Sequence, residues 1–244
     1  MRRPQLSLNA AATPVIVTNA EGNMRLLRFV PAMLVCSALA AGCAGASATS
    51  GKTSIASQSE AAWTLRQDMR KLWTEHVVWT RSYIVAAVAG QPDAQNAADR
   101  LMRNQEEIGN AVARYYGSAA GQQLTTLLKQ HIAVAADVIK AAKSGDQAAF
   151  KQADDRWQQN AVEIADVLSK ANPNWPRATL VDMMKRHLAT TSTEVEARLK
   201  RNWDDDVKAY DAVYDHILQM SDALADGIVK QFPNKFDTNA TVAN

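Results

Sequence analysis

Apolar residues between positions 59 and 232 recur every third or fourth residue, which is the spacing of one buried face of an α-helix. In the first segment this face carries Leu65, Met69, Leu72, His76, Trp79 or Thr80, and Tyr83. Turn-forming sequences interrupt the pattern, and each interruption predicts a helix boundary. The interruptions lie at 90–93, 117–121, 144–146, 172–176 and 201. The pattern therefore predicts an all-α fold of six helices.

A nine-residue pattern occurs three times in this part of the chain. An amide or imidazole side chain is followed three residues later by Glu or Gln, then by an aliphatic residue or Met, a small residue, and Asn or Asp. The copies lie at 104–112, 160–168 and 216–224, 56 residues apart. Recurrence of this kind indicates repeated structural units. We expect a six-helix bundle of three helical hairpins, built on a 55–56-residue internal repeat and spanning 59–117, 118–173 and 174–232.

Polar residues replace apolar ones at corresponding points of the predicted faces. The first helices carry histidine and the second helices carry Asn or His, in the order His76, Asn104, His131, Asn160, His187 and His216. Buried polar groups need partners, so these positions predict a hydrogen-bond network, a ligand site, or both. His216 departs from the two Asn residues, which makes it the position where we most expect a site.

The chemistry of these histidines depends on how the hairpins pack. If the hairpins close around a pseudo-threefold axis, His76, His131 and His187 converge and can form a Zn, Cu or Fe site with an open position. If the hairpins stack in an open row, the three rings stay about 10 Å apart and cannot share a metal. A purely structural polar layer and a pocket for an organic ligand are the other readings.

Several charged residues are candidates for the same site. Glu107, Glu163 and Glu194 can serve as carboxylate ligands or orient the histidines, or they can be solvated surface charges. Arg81 can pair with Asp137 or Glu107, bind an anion, or lie on the surface. The chain has no Cys-x-x-Cys-His motif, which excludes covalent c-type haem.

The N-terminal part of the chain is typical of a secreted bacterial protein. Residues 24–43 have a charged start, an apolar run and a small-residue end, which predicts a signal peptide and makes residues 1–23 an extension of the gene prediction. The signal ends in a lipobox-like sequence at Cys43. Lipidation there would anchor the protein to the periplasmic face of the outer membrane, whereas simple cleavage would leave it soluble in the periplasm. Residues 44–58 resemble a flexible tether, and 237–244 a disordered tail.

The charge distribution excludes one class of partner. Four of the 27 basic residues and one of the 25 acidic residues lie in the first 42 positions, which leaves 23 basic and 24 acidic side chains. A near-neutral domain without a basic stripe is not expected to bind nucleic acid.

Several motifs along residues 60–236 resemble those of an uncharacterised family of secreted or lipid-anchored bacterial all-helical proteins. They include Leu72-Trp73-x-x-His76-x-x-Trp79-Thr80-Arg81, Asn104-Gln105-x-x-Ile108-Gly109-Asn110, Tyr116-Gly117, Ala171-Asn172-Pro173 and Tyr210-Asp211. Some family members are labelled glycosyltransferase or acetylglutamate kinase. The sequence supports neither label, because both activities normally require a glycine-rich strand–loop–helix nucleotide site.

From these patterns we expect a non-enzymatic helical-bundle protein of the cell envelope that binds a metal ion or small ligand through His76, His131, His187 and His216. One alternative is a periplasmic metal-dependent or redox enzyme, which requires carboxylates that face the same cavity as the histidines. The other is a structural or interaction module of the envelope, with a fully packed interior and an exposed apolar patch.

Overall fold

The computed structural model describes residues 59–236, which form six α-helices and one short 3-10 helix. The helices are α1 (Glu60–Ala89), α2 (Ala94–Tyr116), α3 (Ser118–Ser144), α4 (Gln147–Ala171), α5 (Arg177–Leu199), α6 (Trp203–Gln231) and η1 (Pro233–Lys235). The all-α class predicted from periodicity is confirmed. The predicted gene extension, signal peptide, Cys43, tether and C-terminal tail lie outside the described residues. Among residues 59–236, no helix has an apolar stretch long enough to cross a bilayer.

Local sequence explains where the helices begin and end. The side chains of Ser59 and Asp146 accept hydrogen bonds from backbone N–H groups in the first turns of α1 and α4. Gly90 and Gly145 end α1 and α3 in the left-handed conformation, with φ of 69° and 73°, where glycine avoids a Cβ clash. Asp93 precedes α2 as predicted, but its side chain makes no capping hydrogen bond.

The six helices form a closed ring. Each helix packs on its neighbours in chain order, and α6 packs on α1 to complete the circle. The short connections force consecutive helices to run antiparallel. The sequence left open whether the chain closes on itself or stacks in an open row. The α1–α6 contact closes the ring of helices. Among the adjacent pairs, α4 and α5 pack least closely.

Ion pairs link α1 and α6 along the seam, which is the contact between these two helices that closes the ring. Arg66 pairs with Asp226, and Arg70 pairs with Asp222 through two hydrogen bonds of 2.6 and 2.7 Å. Further along the seam, Arg81 enters a buried cluster with carboxylates of α5 and α6.

The Arg81 cluster differs from both pairings expected for this residue. The Arg81 guanidinium donates to Glu194 at 2.9 Å and makes two hydrogen bonds to Asp206, which also accepts from Arg198 at 3.1 Å. Asp137 instead pairs with Arg156. The two expected partners, Asp137 and Glu107, lie on α3 and α2. Ring closure instead brings α5 and α6 against α1.

The buried face of α1 matches the predicted one only in part. Leu72 and Trp79 are partly exposed, while Trp73 and Ile84 are buried. The reason is that α1 contacts α2 and α6 on its flanks and also touches α3 and α5, so its buried surface is wider than a single stripe.

Candidate functional site

The four histidines are buried and lie in one layer across the ring. Their exposed fractions are 2% for His76, 3% for His131, 4% for His187 and 3% for His216. His187 is at the centre of the layer, because its ring centroid lies 5.7 Å from that of His76, 6.1 Å from His131 and 6.4 Å from His216. Ring closure thus brings together the side chains of α1, α3, α5 and α6.

A cavity of about 410 Å³ begins at this layer and opens to solvent. His76, His131, His187 and Trp157 form its buried inner end. Exposed residues, including Gln147, Glu196 and Lys200, line its mouth. Apolar side chains of α2 to α5 form most of its wall, among them Leu101, Ile132, Val138, Ile139, Phe150 and Val195.

The histidine layer is the floor of this cavity. On its other side, the same three rings of His76, His131 and His187 border a void of only about 20 Å³ among apolar core residues. His216 borders neither space. The layer therefore separates an open, ligand-sized chamber from a closely packed core.

His131 has both ring nitrogens occupied by protein groups. Its Nδ1 lies 2.8 Å from Asn160 Oδ1, and its Nε2 accepts a hydrogen bond of 3.2 Å from the Trp157 indole N–H. The indole can only donate, so Nε2 is the acceptor and Nδ1 carries the proton. A lone pair already used in this way is not free for a metal or a ligand.

His76 and His187 differ from His131, because each has a ring nitrogen without a partner. Nδ1 of both rings, like that of His216, is inaccessible to solvent and has no hydrogen-bond partner within residues 59–236. Close to His76, the Gln105 carbonyl oxygen is also buried and unpartnered, so a small shift could pair the two. His187 is therefore the histidine least satisfied by the protein.

Burial keeps these imidazoles neutral. It lowers the pKa of His76 to about 3, where the nearby His131 lowers it further and Gln105 opposes the shift. Burial lowers the pKa of His131 to about 4, against the effect of its hydrogen bond with Asn160. The pKa of His187 lies well below its ordinary value of 6.5, through burial and then through the three surrounding histidines. A neutral imidazole offers one donor and one acceptor.

His216 makes the same kind of contact as the two Asn residues at corresponding positions. Asn104 and Asn160 each donate 3.0 Å hydrogen bonds to the carbonyls of Leu72 and Leu127, and His216 Nε2 lies 2.8 Å from the carbonyl of Met183. Burial lowers the pKa of His216, opposed by this hydrogen bond. The substitution thus preserves a helix-to-helix contact, and the ring lies away from the cavity.

The three candidate carboxylates do not line the cavity. Glu107 is partly exposed and pairs with Arg100, and Glu163 is partly exposed and accepts from Gln159. Glu194 is buried, but it is held by Arg81. Burial raises the pKa of Glu194, and the Arg81 hydrogen bond and charge oppose that shift. Within the described residues, no set of three or more His, Cys, Asp or Glu side chains is arranged to hold a metal ion.

Sequence reasoning did not identify Trp157 as part of the site. Its indole fixes the tautomer of His131 and lines the cavity. A tryptophan one helical turn before Asn160 was the available signal, because a buried indole N–H needs an acceptor.

Compared with protein-family models, curated proteins and solved structures, the chain has no match.

Proposed function

We propose that this chain is a non-enzymatic binding protein of the bacterial cell envelope that holds a small ligand in the histidine-floored cavity. The observation that carries the proposal is an apolar chamber of about 410 Å³ that ends at the buried imidazole rings of His76 and His187. A pocket of this size, apolar with a few convergent polar groups, is typical of small-molecule sites. A ligand group that reaches an imidazole nitrogen left unpaired by the protein can add about 0.5–1.5 kcal/mol through a hydrogen bond.

The envelope location rests on the sequence of residues 24–43. Their charged start, apolar run and small-residue end support secretion, and Cys43 supports a lipid anchor on the periplasmic face of the outer membrane. The motifs shared with secreted and lipid-anchored helical proteins point the same way. A domain that binds a hydrophobic ligand at a membrane surface is consistent with this placement.

The three-hairpin repeat remains part of the proposal. The carbonyls that accept hydrogen bonds from Asn104, Asn160 and His216 belong to residues 72, 127 and 183, which are 55 and 56 residues apart. This spacing matches the sequence repeat and supports three equivalent helix pairs. In such an arrangement, the three first helices each supply one histidine to the floor of the cavity.

Metal binding by the same layer is the second candidate. The separations of 5.7 and 6.1 Å between the imidazole centroids favour it, because small side-chain rotations could direct two rings to one ion. The donor set favours it less, since His131 uses both nitrogens internally and the three candidate glutamates face elsewhere. Because the three glutamates do not line the cavity, the alternative of a periplasmic metal-dependent or redox enzyme lacks the carboxylates that it requires.

Binding of a neutral fluorescent dye, N-phenyl-1-naphthylamine, tests the proposed function. Its emission should rise in a saturable way with the mature domain and with an Ala133→Phe variant, whose substitution is on the surface. An Ala135→Phe variant should lose most of the binding, because Ala135 lines the cavity and the larger ring fills it. Equal binding by both variants would place the dye elsewhere and refute the proposal.

Metal analysis of protein purified without a histidine tag tests the second candidate. Bound Zn, Cu or Fe that disappears in a His76→Ala, His131→Ala, His187→Ala triple variant would support a metal site. Absence of metal, together with unchanged stability on adding a chelator, would count against it.

A further inference from the structure

We infer that the ligand is an uncharged, mainly apolar molecule with a single hydroxyl or carbonyl group, which forms a hydrogen bond with His187 at the floor of the cavity. This inference rests on the proposed binding function and names the chemical class of its ligand. A medium-chain alcohol or ketone is the simplest member of that class.

The size of the cavity limits the apolar part of the ligand. At roughly 30 Å³ for each water-sized group, a volume of about 410 Å³ holds about 14 such groups. The long wall of aliphatic side chains suits a hydrocarbon body, and each buried methylene contributes about 0.8 kcal/mol. A chain of about ten carbons therefore fits within the chamber.

The floor determines the polar part. His131 has no free nitrogen, whereas the His187 ring lines the cavity, is 4% exposed and makes no side-chain hydrogen bond within residues 59–236. Because His187 Nδ1 is inaccessible to solvent, Nε2 is the nitrogen that a ligand in the cavity would meet. His76 lies beside His187 and lines the same floor. Each neutral ring can donate from one nitrogen and accept at the other, so a hydroxyl group can pair with either tautomer and a carbonyl with the donor form.

The surrounding charges argue against a charged ligand. At the floor, the lining groups are neutral imidazoles and an indole. The charged residues that line the cavity, Glu196 and Lys200, are exposed at the mouth and pair with each other. Nearby on α1, α5 and α6, Arg81, Glu194, Arg198 and Asp206 neutralise one another. A carboxylate or ammonium group would lose its hydration without gaining a counter-charge.

A matched series of decyl compounds tests this inference at about pH 7.5, where the buried imidazoles are neutral. 1-Decanol, 2-decanone, decanoate and decylamine are each used to displace N-phenyl-1-naphthylamine from the wild-type domain. Decanol and decanone should displace the dye at concentrations at least about 10-fold lower than decanoate or decylamine. Tighter binding of either charged compound would overturn the inference.

Variants of the layer test the role assigned to His187. A His187→Leu substitution should weaken decanol binding about 3- to 10-fold more than it weakens dye binding, because only decanol loses a hydrogen bond. His187→Gln should restore part of the decanol affinity because an amide retains donor and acceptor groups. His216→Asn is the control and should leave both ligands unaffected, since that ring lies outside the cavity. Far-UV circular dichroism shows whether each variant is folded.

The outcomes distinguish the two proposals. If the dye binds in the cavity and no decyl compound displaces it, or if His187→Leu leaves decanol binding unchanged, the ligand class is wrong and the binding function stands. If the dye fails to bind and no decyl compound changes the intrinsic tryptophan fluorescence of the protein, the binding function fails first.

Discussion

Mild acid should destabilise this domain strongly, because three of its histidines are held neutral in the folded state. Burial lowers the pKa of His76 to about 3 and that of His131 to about 4, and the pKa of His187 also lies well below 6.5. In the unfolded chain each histidine titrates near 6.5. Protons therefore bind preferentially to the unfolded state, so the free energy of unfolding is fully maintained above pH 6.5 and falls as the pH drops below it.

The size of the effect follows from the unfolded-state titration alone between about pH 7.5 and 5.5. Over this interval, each histidine that stays neutral in the fold costs about 1.4 kcal/mol of stability. His76, His131 and His187 together give a loss of about 4 kcal/mol, a large share of the 5–15 kcal/mol typical of a folded domain. Among the carboxylates, Asp206 and Asp222, whose pKa values are lowered in the fold, lose their stabilising effect at lower pH. Glu194, whose pKa burial raises, takes up its proton in the folded state and offsets part of the histidine loss.

Urea denaturation followed by far-UV circular dichroism, carried out at the two pH values, measures this loss directly. The His187→Leu variant provides the internal control, because it should lose about 1.4 kcal/mol less than the wild type over the same interval. A total loss below about 1.4 kcal/mol would refute the reasoning, since it would mean that the histidines are protonated or solvated in the folded protein.

Two further predictions concern packing and the buried ion cluster. Gly109→Ala should lower the free energy of unfolding by about 1–3 kcal/mol in thermal or urea unfolding, because the new Cβ would lie 2.7 Å from the backbone oxygen of Gly121. The exposed control Asn110→Ala should change stability by less than about 0.5 kcal/mol. Equal effects of the two variants would exclude a helix-packing role for Gly109. Arg81→Met should cost about 3–5 kcal/mol, because buried Glu194 loses its ion-pair partner and Asp206 keeps only Arg198. Arg156→Met, which breaks an exposed ion pair, should cost at most about 1 kcal/mol, and similar losses would show that the Arg81 cluster is solvated.

Ring closure explains several differences between the predicted and observed contacts. Partners for Arg81 were expected in α2 or α3, but they lie in α5 and α6, more than 100 residues further along the chain. The sequence carries no local sign of such a pair. Asp206 is one of three acidic residues at the start of α6, and only the packing of α6 on α1 shows that it is buried beside Arg81.

The histidine layer shows both the strength and the limit of sequence reasoning. Because polar residues on an apolar helical face are visible in the sequence, His76, His131, His187 and His216 could be identified as buried, and all four are. The sequence does not show which of them border a cavity. His216 was the expected site because it breaks the repeated pattern, yet it contacts a backbone carbonyl as the Asn residues do, and it does not line the cavity.

The sequence by itself determined the six helices, most of their ends and the presence of buried imidazoles, because periodicity and capping depend on residues within a few positions of one another. Only the tertiary structure decided which imidazole nitrogens have hydrogen-bond partners in the protein. The nitrogens of His131 are used by Trp157 and Asn160 from a neighbouring helix, while His187 stands at the centre of the ring with Nδ1 unpartnered. Those partners are set by helix rotation and ring closure, which arise from packing of the whole core rather than from any local pattern.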